Sequence, residues 1–317
     1  MQTLAPIMLP SWLLAFYQNA PFSCFFPLYS LIACVGLFFF MGPYLAKKKK
    51  RTSYEKGARQ LCLLSTVLGW LLLIGGKICL YLKHGTWFPE TLFGFLLEIA
   101  WLMLCVTVLL ITLHRILWKP LVNHPFFLSL LSFMTFFQGL ASALLLLFLF
   151  RMEKMGIPAS LSELPHALEL LGNDLLEGGM PAIVGGLPLL IAMPAVFGSL
   201  GLLCLRRVHD YGRDHYSVVL TWFMQWTARF GFLLFFFCGI ALAYQLSPYR
   251  DSLLADPLSV LSPFAPLLLF CSVWFLASIL LKAISASELP LRHKALMVFC
   301  DFLLLCSIPL FAEILLR

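Results

Sequence analysis

Long apolar stretches alternate with short polar ones along nearly the whole chain of 317 residues. Each apolar stretch holds about 20 residues or more, the length that an α-helix needs to cross the hydrocarbon core of a bilayer. The pattern predicts an all-α polytopic membrane protein. Its eight transmembrane helices are expected at residues 27–46, 60–82, 91–113, 125–150, 180–205, 215–246, 260–283 and 293–316.

The order of these stretches indicates an internal repeat. Each set of four begins with a stretch that is followed by a basic loop, and a shift of 162 residues aligns Tyr54 with Tyr216 and Gly69 with Gly231. We therefore predict two four-helix bundles in parallel tandem repeat, related by an axis along the membrane normal. The first bundle is expected at residues 27–150 and the second at residues 180–317.

Two other segments differ from the spans. The first twenty residues contain no Lys or Arg, so we expect no cleavable signal peptide. Their prolines and aromatic residues predict an interfacial segment, residues 1–26, lying at the membrane surface. In the outer loop 151–179, leucines recur at helical spacing and predict an amphipathic helix. That helix would either cover the membrane surface or dock a partner.

Composition and charge support a membrane protein with a defined orientation. The chain is 61% hydrophobic and 12% charged, against about 45–50% and about 25% in soluble domains. Of its 22 Lys and Arg residues, fifteen lie in four loops on one side, at 47–59, 114–124, 206–214 and 282–294. The positive-inside rule makes that side cytoplasmic and places both termini outside the cytoplasm. This bias explains the net charge of +7 without a nucleic-acid partner, and lipid is the expected surrounding.

Six polar residues lie inside the predicted spans, and the first pair is on consecutive helices. An arginine at the bilayer centre costs about 2.5–3.5 kcal/mol on insertion scales, so such residues are expected to face protein or a water-filled cavity. Lys77 and Glu98 lie at similar depth, which predicts an ion pair. The alternative for Lys77 is that its long side chain reaches the outer interface.

The second polar cluster is expected in the other bundle. We predict an Asp301–Arg229 pair with Gln225 beside it, and Gln138 joining from the first bundle. One interpretation is a structural clamp between helices. The other is a proton or quinone site, in which Asp301 and Glu98 transfer protons and the quinone is bound by Gln138, Gln225, Arg229 and Lys77.

Motifs for self-contained chemistry are absent from the sequence. It contains no nucleotide-binding glycine loop, no H-E-x-x-H and no G-x-S-x-G. None of the ten cysteines forms a C-x-x-C pair, so no metal site is predicted. No histidine lies in the middle of a span, which disfavours haem b. The candidate ligands would be His114, His124, His215 and His293. The alternative is that these histidines are interfacial anchors beside lipid headgroups.

The fifth apolar stretch contains Pro181, Pro188 and Pro194 together with Gly185 and Gly186. Proline removes backbone hydrogen bonds and favours kinks. Two alternatives follow from this composition: a kinked helix that is packed among its neighbours, or a bent helix that lines a cavity.

A family resemblance rests on the sixth stretch, where Gln225 and Trp226 are followed by Gly231 and Phe232. With the eight-span topology, this pattern resembles quinone-interacting membrane subunits of bacterial respiratory complexes. The similar families are the polysulfide-reductase-type (NrfD) subunits and the eight-span menaquinol oxidoreductase or cytochrome bd-like subunits. The resemblance implies a bacterial inner-membrane protein that binds menaquinone or ubiquinone. It would exchange electrons with a multihaem cytochrome c or an iron–sulfur protein on the outer side.

Two other functions fit the same sequence. A proton-coupled secondary transporter would use the two halves, the proline-rich fifth span and Asp301. A structural membrane anchor would need no chemical site.

Overall fold

A computed structural model of the chain describes residues 20–84, 92–121, 123–154, 180–206, 211–246, 264–287 and 289–311, with residues 166, 169, 173 and 261. These residues are helical or in short connections, and no strand occurs among them. The helices are α1 (Ala20–Lys49), α2 (Ser53–His84), α3 (Leu92–Leu117), α4 (Pro125–Lys154), α5 (Met180–Leu205), α6 (Arg213–Leu246), α7 (Ala265–Ala286) and α8 (Lys294–Cys306). A 3₁₀ turn, Pro290–His293, precedes α8 and lengthens the last span to Pro290–Phe311. The all-helical fold with eight membrane-length helices is thus confirmed.

Two predicted segments are only partly described. Residues 20–26, expected at the membrane surface, belong to α1 instead, because the apolar sequence continues the helix toward its N-terminus. Residues 1–19 lie outside the described part of the chain. The predicted amphipathic helix in 151–179 also falls almost wholly outside it, although α4 extends to Lys154.

Helix contacts follow chain order in two groups of four. In the first group α1 contacts α2, α3 and α4, and the pairs α2–α3 and α3–α4 complete it. In the second group the contacting pairs are α5–α6, α6–α7, α7–α8 and α8–α5. The groups meet where α1 contacts α5 and where α2 contacts α5 and α6. The tandem-repeat relation between the groups stays a prediction.

The two central helices are α1 and α5. In the most apolar part of α1, 72% of the residues are buried inside the protein. The corresponding fraction is 61% in α5 and 28% in α3. A helix that is apolar on all sides is buried most easily, and both α1 and α5 are of this kind. Helix α3 instead presents its leucines outward, as a membrane helix facing acyl chains does.

Glycines allow α1 to approach α4 closely. A Cβ added to Gly36 would lie 2.6 Å from both the Phe136 amide nitrogen and the Ser132 carbonyl oxygen. At the same crossing, a Cβ on Gly139 would overlap the Ala33 carbonyl. Small residues at helix interfaces are typical of membrane bundles, because they bring two backbones into van der Waals contact.

Aromatic residues connect the two groups. The ring of Phe38 in α1 lies 5.2–5.8 Å from the rings of Trp222, Phe223 and Trp226 in α6. Tyr54 of α2 meets Trp222 edge to face at 5.7 Å. Such ring contacts contribute beyond simple burial, so this cluster fixes α6 against the first group.

The proline-rich helix α5 is continuous and packed. Pro188 and Pro194 lie within it and are buried. Phe223 of α6 fills the space beside Gly198, and Leu64 of α2 fills the space beside Gly201. Of the two alternatives from the sequence, the packed helix is the one observed.

We expect Gly36→Ala to destabilise the protein by about 1–3 kcal/mol, because the new methyl group overpacks a backbone contact. In an open helical position the same substitution stabilises by about 0.5–1 kcal/mol, since glycine weakens helices. Gly75 of α2 is the matched control, because an added Cβ there meets no atom within 4 Å. Thermal unfolding of both variants in detergent measures the difference. Equal melting temperatures for the two variants would contradict the α1–α4 crossing.

Candidate functional site

The ion pair between Lys77 and Glu98 is present. Gly76 leaves room for the ring of Trp101, whose Cη2 atom would be 2.6 Å from an added Cβ. Helices α2 and α3 therefore lie close together, and the Lys77 ammonium group donates a hydrogen bond to Glu98 Oε1. The predicted pair is confirmed, and it forms between adjacent helices at the end of the molecule opposite the basic connections. That basic end is defined by the connections after α1, α3, α5 and α7.

This pair opens onto the lipid-facing surface of the protein. Its side chains are 18% and 26% exposed, for Lys77 and Glu98 respectively. The apolar side chains around it are more exposed, namely those of Ile74, Ile78, Phe95 and Leu102. Glu98 lies six residues from Leu92, where α3 begins, a rise of about 9 Å at about 1.5 Å per residue. Its exposed part and that of Lys77 are reachable from the acyl-chain region.

Asp301 is enclosed between α8 and α5. Only 1% of its surface is exposed. Its Oδ2 atom forms a hydrogen bond with the hydroxyl group of Ser199, a residue that the sequence analysis did not identify. The same hydroxyl oxygen lies 2.8 Å from the carbonyl oxygen of Val196.

The hydrogen bond between Asp301 and Ser199 can form in both protonation states of the carboxyl group. When Asp301 is ionised, Ser199 donates its hydrogen to the carboxylate. When Asp301 is protonated, its own hydroxyl donates to Ser199 Oγ, and Ser199 donates to the Val196 carbonyl. Burying an ionised carboxylate with a single donor is costly, so the second arrangement meets the demand for satisfied buried polar groups better.

The predicted Asp301–Arg229 pair is wrong. Arg229 is exposed, and in the part of the chain that the structure describes no carboxylate pairs with it. Helix α6 turns Gly231 toward Trp274 and Ser278 of α7. Two residues along a helix differ by about 200°, so Arg229 lies on the opposite side of α6 from the second group.

The two glutamines do not complete a common site. Gln138 Nε2 is 3.5 Å from the Met103 carbonyl oxygen, a long contact within the first group of helices. Gln225 is half-buried one turn before Arg229. The prediction that Gln138 and Gln225 join Asp301 is therefore wrong, because their helix faces point elsewhere. The six predicted residues fall in four places: the Lys77–Glu98 pair, Gln138 beside α3, Gln225 with Arg229 on α6, and Asp301 beside Ser199.

The four histidines proposed for haem differ in environment. His124 and His293 are exposed at the basic end, whereas His114 and His215 are buried. The imidazole of His114 stacks on Phe39 at 4.7 Å and meets Trp118 edge to face at 4.9 Å. Within the described part of the chain, neither ring nitrogen of His114, through which an imidazole ligates haem iron, has a hydrogen-bond partner. The expectation that no haem b is bound stays a prediction.

Two buried polar contacts were not apparent from the sequence. Tyr29 of α1 and Ser142 of α4 form a hydrogen bond through their hydroxyl groups, and Ser142 also donates to the Ala100 carbonyl of α3 at 3.3 Å. Serines inside apolar stretches usually bond to their own helix, so their sequence positions alone did not mark them.

A cleft of about 240 Å³ lies at the basic end, between α1, α2 and α4. Its lining is mainly aromatic and proline, with a single cation, Lys47, and a single anion, Glu55. Glu55 is already paired with Arg59 at 2.6 Å. None of the six polar residues predicted for a site lines this cleft.

No protein-family model, curated protein or solved structure matches this chain. The functional interpretation rests on the geometry described above.

We expect Ser199→Ala to lower the free energy of unfolding by about 1–3 kcal/mol, because Asp301 loses its donor in a buried environment. Asp301→Asn is expected to cost less, since its amide can donate to Ser199 while Ser199 donates to the Val196 carbonyl. The matched control is Ser272→Ala, which removes an exposed hydroxyl group that is bonded only to its own helix. Melting temperatures in detergent measure all three. An unchanged melting temperature for Ser199→Ala would contradict a structural role for this contact.

Proposed function

We propose that the protein is an integral membrane subunit of a respiratory electron-transfer complex and binds a quinone at the Lys77–Glu98 pair. The observation that supports this proposal is an ion pair open to the lipid-facing surface. Ionisable residues within membrane spans are costly, and even where they pair with each other they often mark a functional site. They offer a donor and a proton acceptor side by side, within reach of a molecule dissolved in the bilayer.

The chemistry of a quinone headgroup fits these two groups. Its carbonyl oxygens accept hydrogen bonds, which the Lys77 ammonium group donates. Oxidation of the quinol releases two electrons and two protons. The carboxylate of Glu98 accepts one hydroxyl proton, and the second proton leaves to water at the nearby membrane surface. The electrons pass to a redox centre of a partner subunit, so no electron acceptor is required within this chain.

The surroundings of the pair suit the isoprenoid tail of a quinone. Ile74 and Ile78 of α2 and Phe95 and Leu102 of α3 form an exposed apolar surface around it. The tail would lie along this surface among the acyl chains, while the headgroup contacts the pair. A ligand that arrives through the bilayer needs such a lateral opening.

The same geometry supports a partner on the extracytoplasmic side. The pair lies at the end opposite the basic one, which the positive-inside rule makes the extracytoplasmic end. A multihaem cytochrome c or an iron–sulfur protein docked there would bring its redox centre toward the headgroup. Menaquinone and ubiquinone present the same carbonyl groups to the pair, so both belong to this proposal. Asp301, Gln138, Gln225 and Arg229 are not part of it.

A second candidate function is proton-coupled transport, and the Asp301–Ser199 contact favours it. A carboxyl group that is satisfied in both protonation states suits a carrier that binds and releases a proton within the membrane. Proton uptake into proteoliposomes that is lost in Asp301→Asn would support transport. Quinone binding unchanged by the same substitution would be expected under the first proposal.

We expect Lys77→Met to weaken binding of the oxidised quinone and Glu98→Gln to weaken binding of the quinol, by about 10–100-fold each, because each removes a charge-assisted hydrogen bond worth about 1.5–3 kcal/mol. The measurement uses a short-chain naphthoquinone or decyl-benzoquinone in its oxidised and reduced forms, both read by the quenching of tryptophan fluorescence. Trp101 packs beside the pair, so most of the quenching is expected to disappear in Trp101→Phe.

The matched control is Glu55→Gln, which breaks the Glu55–Arg59 pair at the other end of the molecule. Its quinone affinity is expected to equal that of the unmodified protein. Equal quinol affinities for Glu98→Gln and the unmodified protein would contradict the proposal, as would equal losses of quinol affinity in Glu98→Gln and Glu55→Gln. Quinone extracted from the purified protein provides an independent readout.

A further inference from the structure

Arg229 occupies an unusual position for a charged residue. It lies halfway along the 32-residue span Arg213–Tyr244, and it is exposed. A helix of this length is about 48 Å long at about 1.5 Å per residue, longer than the hydrocarbon core of about 30 Å, so its midpoint lies about 15 Å from either surface of that core. An arginine side chain is shorter than that distance. The guanidinium group therefore needs an acceptor at this depth.

Among the residues that the structure describes, the chain supplies no carboxylate for it. Beyond the first and last turns of the described membrane spans, the acidic residues are Glu98, which is paired with Lys77, and Asp301, which is buried against Ser199. Neither lies on an exposed surface at the depth of Arg229. The described spans of a second copy of this chain would offer the same two carboxyl groups, so a homodimer formed through those spans adds no carboxylate for Arg229.

The surface next to Arg229 has the form of a helix-docking strip. Leu233, Phe236 and Ile240 follow it at spacings of four, seven and eleven residues, and all three are exposed. These spacings place them on one face of α6. Gly239 beside them has open space where a Cβ would lie. We call Arg229, Leu233, Phe236 and Ile240 the α6 strip.

We propose that the α6 strip binds a transmembrane helix of a different protein, and that this helix carries an Asp or Glu at mid-membrane depth. The carboxylate pairs with Arg229, and its helix covers the three apolar side chains. A helix fits because it satisfies its own backbone groups in hydrocarbon. A carboxylate fits because a bidentate pair satisfies the guanidinium group better than any neutral acceptor. This inference does not depend on quinone binding.

The test places the photocrosslinking residue benzoylphenylalanine at Leu233 and irradiates native membranes. The control site is Phe137 of α4, which is exposed on another face of the molecule. We expect Leu233, but not Phe137, to give an adduct with a second polypeptide. Mass spectrometry of that adduct should identify a membrane-spanning segment that contains an acidic residue.

A charge exchange then tests the pair itself. Arg229→Glu is expected to lower the adduct yield by about tenfold or more, because two carboxylates would face each other. Replacing the partner's acidic residue by Arg in the same cells should restore the adduct. Arg229→Gln checks folding, and its melting temperature in detergent should be unchanged, because the side chain is exposed in the isolated chain.

Four results would overturn the proposal: adducts with lipid alone at Leu233, adducts of the chain with itself, a partner segment without an acidic residue, or an adduct yield that Arg229→Glu leaves unchanged. Loss of quinol binding in Glu98→Gln with an intact Leu233 adduct would separate this interface from the proposed quinone site.

Discussion

Backbone-to-backbone contact at small residues is the constraint on which this fold depends. Helices in a bilayer gain little hydrophobic free energy by leaving lipid for one another, so they associate through close packing and polar contacts. Gly36 and Gly139 supply this contact between α1 and α4, whereas Gly198 and Gly201 of α5 make room for the side chains of Phe223 and Leu64. Because α1 and α5 are the helices that join the two groups, their positions set the rotation of the remaining helices. The polar side chains then point wherever those rotations direct them.

The sequence predicted the fold well because length and hydropathy alone determine a membrane span. It also predicted the Lys77–Glu98 pair. Helices α2 and α3 are consecutive and adjacent, so two oppositely charged residues at equal depth on them are close enough to pair. The Asp301–Arg229 pair failed for a physical reason. Residue counts predict similar depths for Asp301 and Arg229, but they do not determine the direction in which each residue faces around its helix. Gly231 packs α6 against α7 and thereby turns Arg229 away from the second group.

The charged groups of the membrane region differ in the groups that form hydrogen bonds or ion pairs with them. Lys77 and Glu98 satisfy each other while facing lipid, Asp301 is satisfied by Ser199 in the interior, and Arg229 has no carboxylate in the part of the chain that the structure describes. Hydrocarbon cannot supply hydrogen bonds, so each of these differences indicates a different role. The open pair suits a mobile amphiphile, the enclosed carboxyl group suits a structural or proton-holding contact, and the exposed cation suits a permanent neighbour.

The position of the Lys77–Glu98 pair on successive helices has a consequence for biogenesis. Only 21 residues separate the two, so the pair can form as soon as α3 has followed α2 out of the insertion machinery. Two costly charges then enter the bilayer as one neutral unit, before the rest of the chain has been synthesised. Asp301, 102 residues from Ser199, meets its partner only when the last helix arrives. The spacing of these contacts along the chain thus sets the order in which the polar groups of the nascent polypeptide are paired within the membrane.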